Sequence, residues 1–471
     1  MTHEAIPHFP RGFVLATRPV NVPSSFKPVP LLPNVHVHPW LHVDTAGDTE
    51  QFVAILGSCV PISGTDDRPA ATLLEKLRGS EGEFLRALDH YVGRHAIVYG
   101  TATAPKVVND ATGMRAVFYA ANGGVIASHA LLVERALGGS IYRNPVPFQY
   151  GFPGNRTPYE RTRLLMPNTY LDITAATVHR FWPTHALKER TVDDVAQFSL
   201  DAGVNAMREI ARDRTVKMAL TAGLDTRTVF ATALKAGVPF DTYTYGRSAD
   251  TAMDRAFAPG LAARHGVHHE VVPTVASSAA LREHLEEVHY KGMHRPVVQS
   301  LMSWFGGTDS VAVSANLLEI GRSFYLGARR SKIPAPVTAE TMTFLHHRRM
   351  GGKMKDEIEA FGFEQYCEIS DAAFQGYIDE TDYASTVGLL EPFDHFYWEH
   401  RMAAWHGTFL VERDFYGDAF IPLNSRAVFE AMLSVPQDDR DKASVVHRMI
   451  ELADPSLLDM PINPKEWPPA N

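Results

Sequence analysis

The chain has 471 residues, a formal net charge of −9 at pH 7, 45% hydrophobic and 21% charged residues. That length exceeds what one core usually spans, so two domains are expected, and the acidic balance leaves no basic excess to bind nucleic acid. The two cysteines, Cys59 and Cys367, supply neither a disulfide framework nor a metal cluster and fit a reducing cytoplasm.

No basic region followed by an apolar run opens the sequence, and no stretch approaches a membrane span. A soluble, cytoplasmic protein is the expectation. A local basic patch (Arg329, Arg330, Lys332; Arg348, Arg349) reads as a solvated face or an anion site.

Residues 1–45 are punctuated by Pro10, Pro19, Pro23, Pro28, Pro30 and Pro33, which exclude long helices and favour extended or edge segments. Short strands follow at 52–56, 95–99, 106–108, 116–119 and 125–127, with one helix at 71–88 whose stripe is Leu73, Leu74, Leu77, Phe84 and Leu85. Strands at this density, with the turn Asn122-Gly123-Gly124, point to stacked sheets. After Trp182-Pro183 the pattern changes. Residues 192–212 read as an amphipathic helix capped by Thr191, and 216–272 alternate strand, helix, strand (240–245), helix (250–265) and strand (269–272). That order is the signature of a doubly wound parallel sheet, whose ligands sit at the carboxyl ends of the strands.

The first of those strands runs into Leu220-Thr221-Ala222-Gly223-Leu224-Asp225-Thr226-Arg227. A strand, a turn of small residues and a helix start aim backbone N–H groups at one point, which suits a phosphate. Asp225 beside that point suits Mg²⁺. An ordinary strand–turn–helix corner is the bland alternative. The stretch resembles the pyrophosphate loop of the N-type ATP pyrophosphatases, Ser-Gly-Gly-x-Asp-Ser, with Thr in place of each Ser.

The resemblance extends along the chain. Gly93-Arg94-His95, Asn109-Asp110-Ala111-Thr112-Gly113-Met114-Arg115, Phe118-Tyr119 and Ala127-Ser128 are similar to the N-terminal domain of asparagine synthetase B-type enzymes. It implies two domains: 1–185, an N-terminal-nucleophile (Ntn) glutaminase-like domain of stacked antiparallel sheets between helices, and 186–471, an α/β synthetase domain on a doubly wound parallel sheet. The family's glutaminase nucleophile is a Cys after the initiator Met, whereas Thr2 stands here. The domain is therefore expected to be degenerate, a relic or a platform.

For the synthetase half, the resemblance implies that Tyr245 and Gly246 line the adenosine and that Asp250 is structural. His268 and His269, on opposite faces of a strand, cannot share an ion. Residues 311–325 take the place of the family's second acidic motif: Ser314 and Tyr325 hold their places, and Glu319 replaces the metal-binding Asp. Arg322 is a further phosphate contact. Ala315 and Leu317 replace glycines, so a different backbone path is expected there. Near the end, Lys465 parallels the family's active-site Lys, with Lys442 as the alternative and a surface lysine as the bland reading of both.

The implied activity is an ATP-dependent amide-forming ligase that adenylates a carboxylate. ATP and Mg²⁺ are its cofactors, held over residues 220–227 with Asp225 and Glu319 as metal ligands and Lys465 neutralising developing charge. Its partners are a small-molecule or peptide carboxylate and an amine donor, with a homodimer or a pathway enzyme as protein partner. β-Lactam synthetases and lasso-peptide cyclases also lack the glutaminase Cys, so an intramolecular cyclase and a specialised-metabolite role stay open. A catalytically silent scaffold or binding protein is the alternative of another class. Thiolation through an adenylate is disfavoured, because only Cys367 lies in this half.

Overall fold

The computed structural model describes residues 6–139, 141–247, 249–289, 295–306 and 309–465. Thr2 lies outside them. The described chain is a mixed α/β structure built on two antiparallel sheets and one parallel sheet. Among the described residues no helix is long and apolar enough to cross a membrane.

All strands of the antiparallel sheets come from residues before 181. One sheet runs, in spatial order, Thr162–Leu164, Phe118–Ala120, Val125–Ala127, Phe13–Ala16, Leu32–Val37 and Lys27–Val29. The other runs Thr177–Arg180, Thr169–Asp172, Pro105–Asn109, Tyr91–Gly100, Phe52–Pro61 and Val43–Gly47. The sheets pack face to face because alternate residues share a face. Phe52, Ala54 and Leu56 meet Phe13, Leu15, Val35 and Val37 in the inner core. Val53 and Ile55 point outward against Leu73, Leu74, Leu77 and Phe84, and the helix Ala130–Leu137 covers the outer face of the first sheet.

The single helix expected at 71–88 is two, Pro69–Gly79 and Glu81–Ala87. Ser80 breaks it: its backbone is extended, and its side chain accepts the Glu83 N–H as an N-cap. The strand expected at 116–119 is Phe118–Ala120.

The parallel sheet has the order His269–Val272, Asp241–Tyr245, Thr215–Ala219, Ser310–Val313, Asp418–Phe420. From Thr215–Ala219 the chain adds two strands on one side, then crosses to the other side with Ser310–Val313. The reversal lies between these two adjacent strands, so the loops leaving their carboxyl ends flank the switch-point crevice.

Buried charge joins the antiparallel layers to the parallel sheet. Arg94 makes a bidentate pair with Asp414 (2.6 and 3.0 Å), and its Nε donates to Met114 O. Arg115 reaches both Asp414 and Asp418, Arg214 and Ser58 bind Asp418, and Arg11 donates to Asp414 O. Burial opposes ionisation of Asp418, but Arg214, Arg115 and Arg11 outweigh it and hold the carboxyl well below the usual range. Asp414→Ala leaves Arg94, which is fully buried, without its counter-charge. An expected loss of about 3–5 kcal/mol in urea denaturation checks this interface; a loss under about 1 kcal/mol, the surface-pair value, would contradict it.

Candidate functional site

The loop after Thr215–Ala219 is closed by its own threonines. Thr221 Oγ1 lies 2.7 Å from Thr226 Oγ1 and accepts the Gly223 N–H at 3.2 Å. The Ala222 N–H donates to Asp254 Oδ1 at 2.9 Å. Gly223 is the cap residue of the helix Leu224–Ala236 with φ −76°, so no left-handed backbone requires glycine there. Space there is snug: a Cβ would stand 3.3 Å from Thr221 Oγ1, a tight contact, and 3.5 Å from Asn463 Oδ1, an ordinary one. The amides of residues 224–226 open the helix and have no partner within it, which leaves a positive end at the crevice. Leu220 and Leu224 are buried beneath the loop.

Across the switch point, the loop after Ser310–Val313 brings Glu319 to Asp225. Glu319 stands close enough to Asp225 to oppose ionisation of its carboxyl. Arg322 completes the cluster, with Nη2 2.6 Å from Asp225 Oδ1, 2.7 Å from Oδ2 and 3.8 Å from Glu319. Burial, then Glu319, push the Asp225 carboxyl up to about 7, with Arg322 opposing both. Asp225 Oδ1 is buried without a well-directed hydrogen bond.

In this second loop Leu317, which stands where the resembled family has a glycine, adopts φ +89°. The left-handed geometry costs about 1–2 kcal/mol, and complete burial of the side chain offsets it by roughly 1.5–3 kcal/mol.

Several residues assigned to the nucleotide are otherwise engaged. Arg227 is fully buried and donates to Leu457 O, Met460 O, Pro461 O and Ala222 O. It ties the C-terminal segment to the loop and does not face the crevice. Ser314 Oγ is held by Arg413 (2.7 Å) and Asn316 (2.5 Å). Arg322 is a partner of Asp225 before any phosphate. Tyr245 ends its strand beside the Tyr243 ring, and Gly246 at φ +116° lies where a Cβ would collide with Thr251. Asp250 lies in a short helical turn, while Asp254, which sequence reasoning passed over, is the acid that holds the loop; its signal was its place in the first turn of Ala252–Arg264. The His268 ring pairs with Asp241 and the His269 ring with Thr242 and Thr244, so the two imidazoles share no partner. Arg329, read as part of a basic patch, faces Glu391, Asp394 and Asp441.

Lys465 is exposed and forms no ion pair among the described residues. It follows Asn463, whose N–H donates to Ala222 O at 3.0 Å, so its backbone is within about 7 Å of the loop's anchoring point along the chain. Lys442 is exposed at the end of Gln437–Asp441. Neither lysine touches the carboxylate pair among the described contacts.

One residue with no sequence signal stands next to the pair. Tyr397 is buried, and its hydroxyl is raised well above its ordinary range by burial, then by Glu319, with Arg401, Tyr325 and Asp225 also in electrostatic reach. It opens a rare π-helical segment, Tyr397–Gly407.

No protein-family model matches the sequence. No curated protein matches it. Among solved structures, similarity extends to a glutamine-dependent NAD+ synthetase from Acinetobacter baumannii in complex with ADP, at 16% identity over 40% of this chain and 39% of that one, TM-score 0.21. An NMN synthetase from Francisella tularensis gives 11% over 40% and 97%, TM-score 0.22. Glutamine phosphoribosylpyrophosphate amidotransferase from B. subtilis, complexed with ADP and GMP, gives 14% over 62% and 60%, TM-score 0.20. This chain thus spans 39% of the length of the first of these, and similarity at such TM-scores carries nothing about function.

Two outcomes check the site. Because the folded-state value of Asp225 is raised, the folded protein holds an extra proton between about pH 4 and about pH 7, and stability falls as pH rises through that window. Asp225→Asn is therefore expected to unfold at higher urea than the parent at pH 8 and at nearly the same urea at pH 4; equal destabilisation at both would contradict the raised Asp225 carboxyl. Leu317→Gly is expected to lose about 1 kcal/mol or more in the same assay, burial outweighing strain. A stabilised variant would mean that strain dominates.

Proposed function

We propose that the protein is an ATP-dependent, amide-bond-forming ligase releasing AMP and pyrophosphate. The observation that carries this reading is the meeting of Asp225 and Glu319, from the carboxyl ends of adjacent parallel strands, beside an open helix N-terminus. Two oxygen-donor carboxylates side by side, one oxygen lacking a directed hydrogen bond, fit Mg²⁺. Bound there, the ion would supply charge neutralisation for the β- and γ-phosphates.

The chain's own groups do the positioning. The amides of residues 224–226 and the hydroxyls of Thr221 and Thr226 receive the pyrophosphate, and Tyr245 and Gly246 bound the adenosine. Arg322, displaced from Asp225, turns to phosphate oxygens. Lys465, or Lys442 in its stead, neutralises charge on the substrate. A carboxylate oxygen attacks the α-phosphorus and pyrophosphate leaves; an amine nitrogen then attacks the acyl carbon, AMP leaves, and the amine loses its proton.

In this reading residues 1–185 form a degenerate Ntn-type glutaminase-like platform, and 186–471 form the synthetase domain of the doubly wound, adenine nucleotide α-hydrolase-like type. The nitrogen comes from ammonia, a second substrate, or an amine of the same molecule, in the last instance closing a ring. A specialised-metabolite or modified-peptide pathway in the cytoplasm suits such an enzyme, as a homodimer or beside a pathway enzyme. The Arg322–Asp225 pair favours one rival: a silent binding protein whose arginine permanently occupies the cation's place.

Purified protein given Mg·ATP and the small-molecule and peptide pool of its host, with and without ammonium, separates the two. AMP and pyrophosphate are expected in equal amounts, falling at least about a hundredfold in Asp225→Ala. Absence of AMP under every pool, with no Mg·ATP binding by calorimetry, would establish the silent protein.

A further inference from the structure

Beyond Tyr397, the π-helical segment carries Arg401 into the protein interior. The side chain is 4% exposed, yet among the described residues it forms no ion pair and no hydrogen bond, and its Nε is buried without a partner. Its contacts are aromatic rings: Tyr150 at 4.3 Å, Trp405 at 4.4 Å and Phe324 at 4.9 Å from the guanidinium carbon. A second cation, Arg349, lies over the same Phe324 ring at 4.4 Å, and Trp405 Nε1 is likewise buried without an acceptor.

A guanidinium cannot shed its charge, and burying it without a counter-ion is strongly unfavourable. Ring faces compensate only in part. The arrangement is also fixed: Gly151, next to Tyr150, packs so closely on the segment that a Cβ would lie 2.5 Å from Ala404 O. Buried donors without acceptors in a rigid aromatic wall describe a site waiting for an anion. Its distance from the chemistry is one ring layer, since Phe324 stacks on Tyr397 at 4.3 Å and follows Arg322 by two residues.

We infer that Arg401, with Trp405 Nε1 and Arg349, binds a second carboxylate of the acyl substrate, at the end remote from the carboxylate that is activated. The class of substrate is then an acid with two negatively charged ends separated by a body that lies along Phe324 and Tyr397. This rests on the ligase reading for the location of the reacting carboxylate, while the anion subsite itself stands on the geometry around Arg401.

The test compares the full-length protein with Arg401→Met, which keeps the stem and removes the charge. Calorimetry at low salt uses succinate, glutarate and adipate as probes, acetate as the one-carboxylate control, and Mg·ATP separately. The parent is expected to bind at least one dicarboxylate at least tenfold tighter than acetate, and the variant to lose that preference while binding Mg·ATP as before. The variant's melting temperature is expected to equal or exceed the parent's, since an unpaired buried charge has been removed. A melting temperature several degrees lower would make Arg401 a packing residue and overturn the inference. So would unchanged dicarboxylate binding, or no dicarboxylate binding to the parent. A tenfold loss of Mg·ATP affinity would instead assign Arg401 to a nucleotide phosphate and also overturn it. If the parent fails to bind Mg·ATP while the dicarboxylate preference depends on Arg401, the subsite stands and the ligase reading falls.

Discussion

The structure depends on a lattice of buried charge between its antiparallel layers and its parallel sheet. Asp418 opens the edge strand of the parallel sheet and is held by Arg115, Arg214 and Ser58. That strand pairs with Ser310–Val313, whose outgoing loop carries Glu319, so the position of the carboxylate is inherited from the interface. A second knot, Glu399 with Arg180, Asn168 and Tyr377, fixes the π-helical segment that carries Tyr397 and Arg401. Such ions stabilise little in net terms, but breaking one pair leaves the other buried and uncompensated. The lattice therefore specifies a single docking geometry more than it adds stability.

Within that frame the site concentrates charge that it cannot neutralise alone. Glu319 opposes ionisation of Asp225, Arg322 pairs with that carboxyl, and one ring layer away Arg401 has only aromatic faces. In the reading proposed above, an anionic ligand and its metal would relieve the first and the last of these. Perturbed groups gathered around one crevice mark a candidate ligand site.

Much of this was legible in the sequence, for physical reasons. The strands read at 52–56 and 95–99 are the start and the middle, respectively, of the longer Phe52–Pro61 and Tyr91–Gly100, and the small residues at 221–223 marked the strand–turn–helix corner. The three- and four-residue strands between 162 and 180 were not legible, because alternation cannot declare itself over so short a run. The break at Ser80 was readable, Ser followed three residues later by an acid, and was overridden by the apolar stripe on both sides. Arg227 sits where a phosphate ligand would be expected, yet its direction is set by carbonyls of residues 457–461, which no local pattern reveals. Asp254 reaches the loop because the crossover helix presents that position. Arg322 meets Asp225 across 97 positions, and nothing in residues 397–407 announces a π-helical turn.

The most direct test of the central claim, that Asp225 and Glu319 form one cation site on the nucleotide loop, is electron paramagnetic resonance of Mn²⁺·ATP added to the purified protein. The parent should give the spectrum of an immobilised ion, and Asp225→Asn and Glu319→Gln should each return it to that of Mn²⁺·ATP in solution. An immobilised spectrum unchanged in both variants would place the ion elsewhere and contradict the account.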